Sequence, residues 1–200
     1  MENYMVINGQ TIELTNEQVE ELKNALNTNV CVKDVASGDP FVYCGVEFVV
    51  LDHTEIGTLI MTKDLVSDAV KFGANNNFAD EACEVRKFLE EYSKKFNKDD
   101  FVEFEVDLTS DDGLKDYGTF KSMVALLTAD QARKYVDILD KHKVNKWWWL
   151  VTSFSTPKHE DDEWVKCVSP RGGIYDDHSD DDYDGVRPVY ILKSNIFVSK

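Results

Sequence analysis

The sequence predicts an α+β fold, mainly antiparallel, on three observations. Apolar β-type runs outnumber helical ones. They come in hairpin-like pairs and do not alternate with helices. The last third of the chain, residues 145–200, brackets a charged excursion between two apolar β-type segments, Trp147-Trp-Trp-Leu-Val151 and 186–192. Three of the four tryptophans lie in one tripeptide, an arrangement too costly to leave in water, so Trp147, Trp148 and Trp149 are assigned a structural role in a central strand. Alternation puts Trp147 and Trp149 on one face and Trp148 on the other. The triplet reads as core with one indole partly exposed, ahead of a ligand platform.

Taken in order, Tyr4-Met-Val-Ile7, a turn at Asn8-Gly9 and Thr11-Ile-Glu-Leu14 read as a short hairpin. Thr15 then opens a helix, with Gln18 placed for a capping box and Leu14 and Val19 for a hydrophobic staple. Val19, Leu22, Ala25 and Leu26 form its stripe. The loop at 34–40 is the expected boundary between an N-terminal hairpin–helix appendage (1–36) and the main domain (41–200). Strands follow at 41–44, 46–51 and 58–62, with a bulge at Gly45 and a five-residue turn at 53–57. Residues 64–72 are expected to form a short helix. Asn75-Asn-Asn77 is expected to cap a longer one carrying Val85, Phe88, Leu89, Tyr92 and Phe96. Residues 101–108 alternate as a half-exposed strand, and 123–127 read as a buried one. Thr128 and Gln131 open a third helix with Ala132, Tyr135, Val136 and Leu139 inward. After the Trp strand come a strand at 163–168, a turn at Pro170-Arg-Gly-Gly173 and a last strand at 186–192.

Two hundred residues can bury a core without disulfides or metal. The net charge is −16, with a pI of about 4.6, a field that repels nucleic acid and anionic membrane surfaces. Solubility is the plain reading of that charge; attraction to a basic partner is the sharper one. Cys31, Cys44, Cys83 and Cys167 are scattered, with no Cys-x-x-Cys pair. The N-terminus does not read as a signal peptide, and no apolar run approaches membrane-spanning length. A cytoplasmic protein with reduced thiols is expected, in the host cytoplasm if a phage encodes it.

A set of motifs carries a resemblance: Leu126-Leu-Thr-x-x-Gln131, Trp148-Trp-Leu150 with Thr152-Ser153, Trp164-Val165 with Val168, and Gly185-Val-Arg-Pro-Val189. Together they resemble an uncharacterised domain family of Gram-positive gut bacteria and their phages. That family ends in Trp-Trp-Leu-Arg-Ser and Gly-Val-Arg-Pro-Ala elements. The resemblance spans residues 41–193. The family's ending is similar in turn to the C-type-lectin-like and formylglycine-generating-enzyme folds. It implies a C-type-lectin-like mixed sheet with about three to four helices, a scaffold often used for binding. Val151 stands where the family has arginine, so no role of that arginine carries over, and the formylglycine-generating enzymes' catalytic cysteine pair has no counterpart.

The acidic excursion is the main candidate site. Residues 159–184 hold ten acids against Lys166 and Arg171, half of the chain's net charge. Three readings stand: a solvated loop, a protein-binding patch, or a loose calcium loop. The patch would use Glu160, Asp161, Asp162, Asp176, Asp177, Asp180, Asp181, Asp182 and Asp184. The calcium loop, the weaker metal candidate, would use Asp176, Asp180, Asp182 and Asp184. A true EF-hand is excluded, because Ile191 holds the bidentate position and Pro188 intrudes. None of His53, His142, His159 and His178 has zinc spacing, Ser153 and Ser155 lack a nucleophile-elbow setting, and Cys167 reads as core. Arg187 is expected to pair with a carboxylate inside the fold, a structural role. With no complete catalytic set and no cofactor motif, the expected function is a non-enzymatic, phage- or mobile-element-encoded module. Its acidic loop, 158–184, would contact another, basic protein, with no direct nucleic-acid or membrane binding. The alternatives are an acidic DNA mimic that occludes a defence nuclease, of the anti-CRISPR or anti-restriction type, and a calcium-dependent ligand binder.

Overall fold

The structure, a computed structural model, describes residues 4–7 and 10–200, with the side chains of these except 5, 7 and 23–28. The expected Asn8-Gly9 turn and the Ala25 and Leu26 stripe positions therefore lie outside what is described. In chain order the elements are β1 (Tyr4–Ile7), β2 (Gln10–Glu13), α1 (Asn16–Thr28), β3 (Asn29–Cys31), β4 (Pro40–Tyr43), β5 (Val46–Thr54) and β6 (Gly57–Thr62). Then come α2 (Glu84–Ser93), β7 (Phe101–Val102), β8 (Phe104–Asp107), β9 (Thr119–Ser122), α3 (Ala129–Lys134) and α4 (Val136–Lys141). The chain closes with β10 (Trp148–Ser153), β11 (Trp164–Val168), β12 (Ile174–His178), β13 (Val189–Leu192) and β14 (Phe197–Ser199). The fold is α+β, and its strand ladders are antiparallel.

Among the described residues a seven-stranded sheet runs β3-β14-β4-β5-β6-β13-β7, and a three-stranded sheet runs β10-β11-β12. Phe48 to Leu51 and all of β6 and β13 are buried, as a non-alternating apolar run requires. The large sheet carries a ring cluster. Tyr190 stands 5.0 Å from Phe101, 5.7 Å from Phe96 and 6.0 Å from Phe48 between centroids, with tilted or edge-on geometry. Both expected capping boxes form: Thr15 with Gln18 opens α1, and Thr128 with Gln131 opens α3.

Several expectations are corrected. The 34–40 boundary falls inside the main sheet: β3 pairs with β14, and Val32 and Val35 are fully buried. Residues 29–35 therefore pack with the main sheet, because the final strand, unforeseen in the sequence, reaches back to the first residues after α1. Gly45 is not a bulge. Cys44 and Gly45, at φ 48° and 75°, form a two-residue turn that closes Tyr43 against Val46. The 53–57 turn is tighter than expected, since Thr54 already pairs with Gly57. Residues 64–72 form no helix; Ser67 bridges to Val186 instead. Asn76 does not cap α2, whose N-cap is Cys83; its buried amide bonds the Ser155 and Trp164 carbonyls. The 101–108 strand breaks at Glu103, its halves joining different sheets. Residues 124–127 are buried but are not a paired strand: Ala125 bridges to Val189, and the Leu127 carbonyl accepts the Val151 N–H at 2.9 Å. The third helix breaks at Tyr135 into α3 and α4.

Candidate functional site

The Trp strand seats the site. Trp148 and Trp149 are buried, and the Trp149 Nε1–H donates to the Val70 carbonyl at 2.7 Å. Trp147 is the partly exposed member. It meets Tyr175 edge-on at 5.3 Å, at a surface notch shared with Arg171. Register confirms the alternation: Trp149 pairs with Cys167 and Cys167 with Tyr175, which places the Trp147 contact on that same face. Trp148 lies on the other face, its ring 5.2 Å from the Arg187 guanidinium. Arg187 is buried as expected, but its hydrogen bonds go to the backbone carbonyls of Thr62 and Lys63, not to a carboxylate. Burial pulls its pKa down to about 10.

The acidic excursion is not a loop. Most of it is a hairpin, β11 and β12 paired in register from Trp164↔His178 to Val168↔Ile174 about the Pro170–Gly173 turn. The register places Asp176 opposite Lys166, an amine almost excluded from solvent. Its Nζ meets Asp176 at 2.6 Å and Asp111 at 3.2 Å, and Asp111 also takes Arg133 at 2.7 Å. Burial lowers the Lys166 pKa, but the two carboxylates outweigh it and the net shift is upward. His178 stands between Asp180 at 2.5 Å and Glu163 at 3.2 Å, edge-on to Trp164. There too partial burial pulls down and the carboxylates push further up. Asp161 accepts the Glu163 and Trp164 backbone N–H groups and starts β11. The Tyr183 hydroxyl sits 2.8 Å from Asp177 and 3.0 Å from Asp181. Glu160, Asp162 and Asp182 are exposed.

Asp184 is the correction that matters most. Expected on the contact surface and in a calcium loop, it has no exposed area, and among the described residues no N–H or O–H donor reaches either carboxylate oxygen. Gly185 fixes it there. The main chain packs so closely that a Cβ on Gly185 would lie 2.6 Å from Leu65 Cδ1 and 2.9 Å from the Ser67 carbonyl oxygen. Asp184 gathers with Asp177 and the fully buried Cys167, ligand atoms within 4.8 Å of one another. Burial lifts the Asp184 pKa to about 7, with Asp177 and Asp181 adding to the rise. The Cys167 thiol is pushed up by burial and then by Asp184 and Asp177. The four aspartates of the expected calcium loop do not share a centre. Asp176 belongs to Lys166, Asp180 to His178 and Asp184 to the interior, while Asp182 faces solvent.

Ser155 and His159 converge on a carboxylate that sequence reasoning had missed, Asp112. The Ser155 hydroxyl donates to Asp112 Oδ2 at 2.7 Å, and His159 Nδ1 meets the same oxygen at 2.9 Å. Hydroxyl and imidazole share an acceptor and do not bond to each other, so this is not the Ser–His pair in which the imidazole takes the hydroxyl proton. With the Ser110 hydroxyl and the Leu114 N–H also directed at Asp112, the arrangement ties down the 110–114 turn. An Asp-Asp-Gly turn was the signal available for this carboxylate; its partners more than 40 residues away were not. No family model, curated protein or solved structure matches this chain.

Proposed function

We propose that this chain is a non-catalytic protein-binding domain whose contact surface is the outer part of the β11–β12 hairpin with its flanking turns, and that its partner is basic. The observation that carries the reading is a mixture of exposed aromatics and exposed acids on one supersecondary unit. Trp164, on one face, Tyr175, on the other, and Tyr183, after the hairpin, are 42%, 54% and 51% exposed, and Glu160, Asp162 and Asp182 in the flanking turns are exposed as well. Large rings left in water supply rigid contact area at low entropic cost, and Trp and Tyr dominate interface hot spots. The surrounding acids supply steering and choice of partner. Lys166 pairs with Asp176, and His178 with Asp180 and Glu163, which ties these acids to the hairpin, whereas Glu160, Asp162 and Asp182 stand exposed around it.

The test is binding of the purified chain to an array of Lys/Arg-rich peptides, read against ionic strength. The parent should retain basic peptides with an affinity that falls steeply between about 50 and 200 mM salt. A variant carrying Glu160→Lys, Asp162→Lys and Asp182→Lys should lose about tenfold or more, and Trp164→Ser a similar amount. A reversal on the large sheet, Glu47→Lys, should change nothing. Equal loss in all three, or in none, would remove the hairpin as the contact.

A further inference from the structure

We propose that Cys167, Asp177 and Asp184 form a buried binding site for a thiophilic divalent transition-metal ion of the zinc type, which pins β11, β12 and the segment leading to Gly185 together. Among the described residues these are the one group of three Cys, His or carboxylate side chains whose ligand atoms converge, all within 4.8 Å. The independent observation is Asp184, fully buried with both oxygens unpartnered. Buried carboxylates are almost always hydrogen-bonded or bound to a cation, because an unpaired one costs several kcal/mol.

Asp177 is oriented for the same task. Its Oδ1 accepts the His178 backbone N–H at 3.0 Å and the Tyr183 hydroxyl at 2.8 Å. Outer partners of this kind fix a ligating carboxylate. One thiolate with two carboxylates suits zinc, cobalt or cadmium, whereas calcium and magnesium take oxygen ligands in larger number. Tetrahedral zinc–sulfur and zinc–oxygen bonds imply roughly 3.3–3.7 Å between ligand atoms, so side-chain adjustments of about 1 Å close the site. Three protein ligands leave the fourth position to water. Binding releases the Cys167 thiol proton, and any proton held by the two carboxyl groups, to solvent. Once those protons have left, the thiolate and two carboxylates carry three negative charges, which the divalent ion offsets to a net of one.

The experiment is titration of the metal-free chain with Co2+ and Cd2+, with Cys31 and Cys44 replaced by serine so that the more accessible thiols cannot contribute. The expected result is one equivalent bound with a sulfur-to-metal charge-transfer band, displacement by Zn2+, and a melting temperature several degrees higher with metal. Cys167→Ser should abolish the band, and Asp184→Asn should weaken binding about tenfold or more while circular dichroism shows the fold intact. If Cys167→Ser fails to fold, Asp177→Asn, on a half-exposed position, should give the same loss of affinity. No charge-transfer band in the parent, a band that survives Cys167→Ser, or an affinity unchanged in Asp177→Asn would each overturn the site.

Discussion

The seven-stranded and three-stranded sheets bury different chemistry. Around the large sheet the interior is rings and aliphatics, Phe41, Phe48, Phe96, Phe101, Tyr190 and their neighbours. Thr58 and Thr62, both on β6, are the buried polar side chains within its strands among the described residues. Around the small sheet the interior holds Asn76, Ser153, Ser155, Thr156, Lys166, Ser179 and Asp184, while Arg187 links the two sheets, against Trp148 of β10 and bonded to the Thr62 carbonyl of β6. Apolar burial stabilises without further conditions, whereas each buried polar group needs a placed partner. The first region is therefore built for stability. The second holds groups that an apolar replacement would serve more cheaply, which is how functional sites differ from the scaffold that carries them.

The contrast can be broken in graded steps. Phe48→Ala, at the centre of the ring cluster, should cost about 3–5 kcal/mol in denaturant unfolding. Trp149→Phe keeps a ring but leaves the Val70 carbonyl without its donor, and should cost about 1–3 kcal/mol. Lys166→Met should cost less, about 1 kcal/mol or below, because Asp111 keeps Arg133 and Asp176 regains water once the amine is gone. Were Lys166→Met as costly as Phe48→Ala, the small sheet would depend on its buried charge for stability and the contrast would fail. The smallest effect is expected at His178, whose pKa is raised and which is half-buried between exposed carboxylates. Its ion pairs contribute fully below the unfolded value of 6.5 and are lost as pH rises through the folded one. Melting of His178→Ala against the parent should show a difference at pH 5.5 that shrinks by pH 8.5.

What could be read from the sequence was local or periodic. The capping boxes at Thr15 and Thr128 need only four consecutive residues, and both formed. The burial of Trp148 and Trp149 follows from their hydrophobicity, whereas which indole stays partly exposed does not follow from alternation: it is Trp147, one residue ahead of β10. Strand β12 was hidden because Asp176 and Asp177 are poor strand formers by composition. Their pairing is decided across the hairpin, by Lys166 opposite Asp176. The same applies to the site. An aspartate-rich run announces exposure, and six of its members lie between 176 and 184. Close packing at Gly185 and its bridge to β10 hold one of them, Asp184, away from water and near Cys167 on β11. Arg187 shows the complementary error: a buried guanidinium suggests a carboxylate, but two backbone carbonyls and an indole face satisfy it.

The central claim is that the small sheet retains a buried acid at a cost to its own stability, and Asp184→Asn measures that directly. Its raised pKa means that the folded chain binds this proton more tightly than the unfolded one. That contribution is complete below the unfolded value of 3.8 and is lost as pH rises through about 7. In chelator, unfolding of the two chains should give similar stabilities near pH 4. The asparagine variant should gain steadily on the parent, to on the order of 2–4 kcal/mol by pH 8. A parent that equals or exceeds the variant at pH 8, with metal removed, would show that Asp184 is compensated where it lies and would contradict the account.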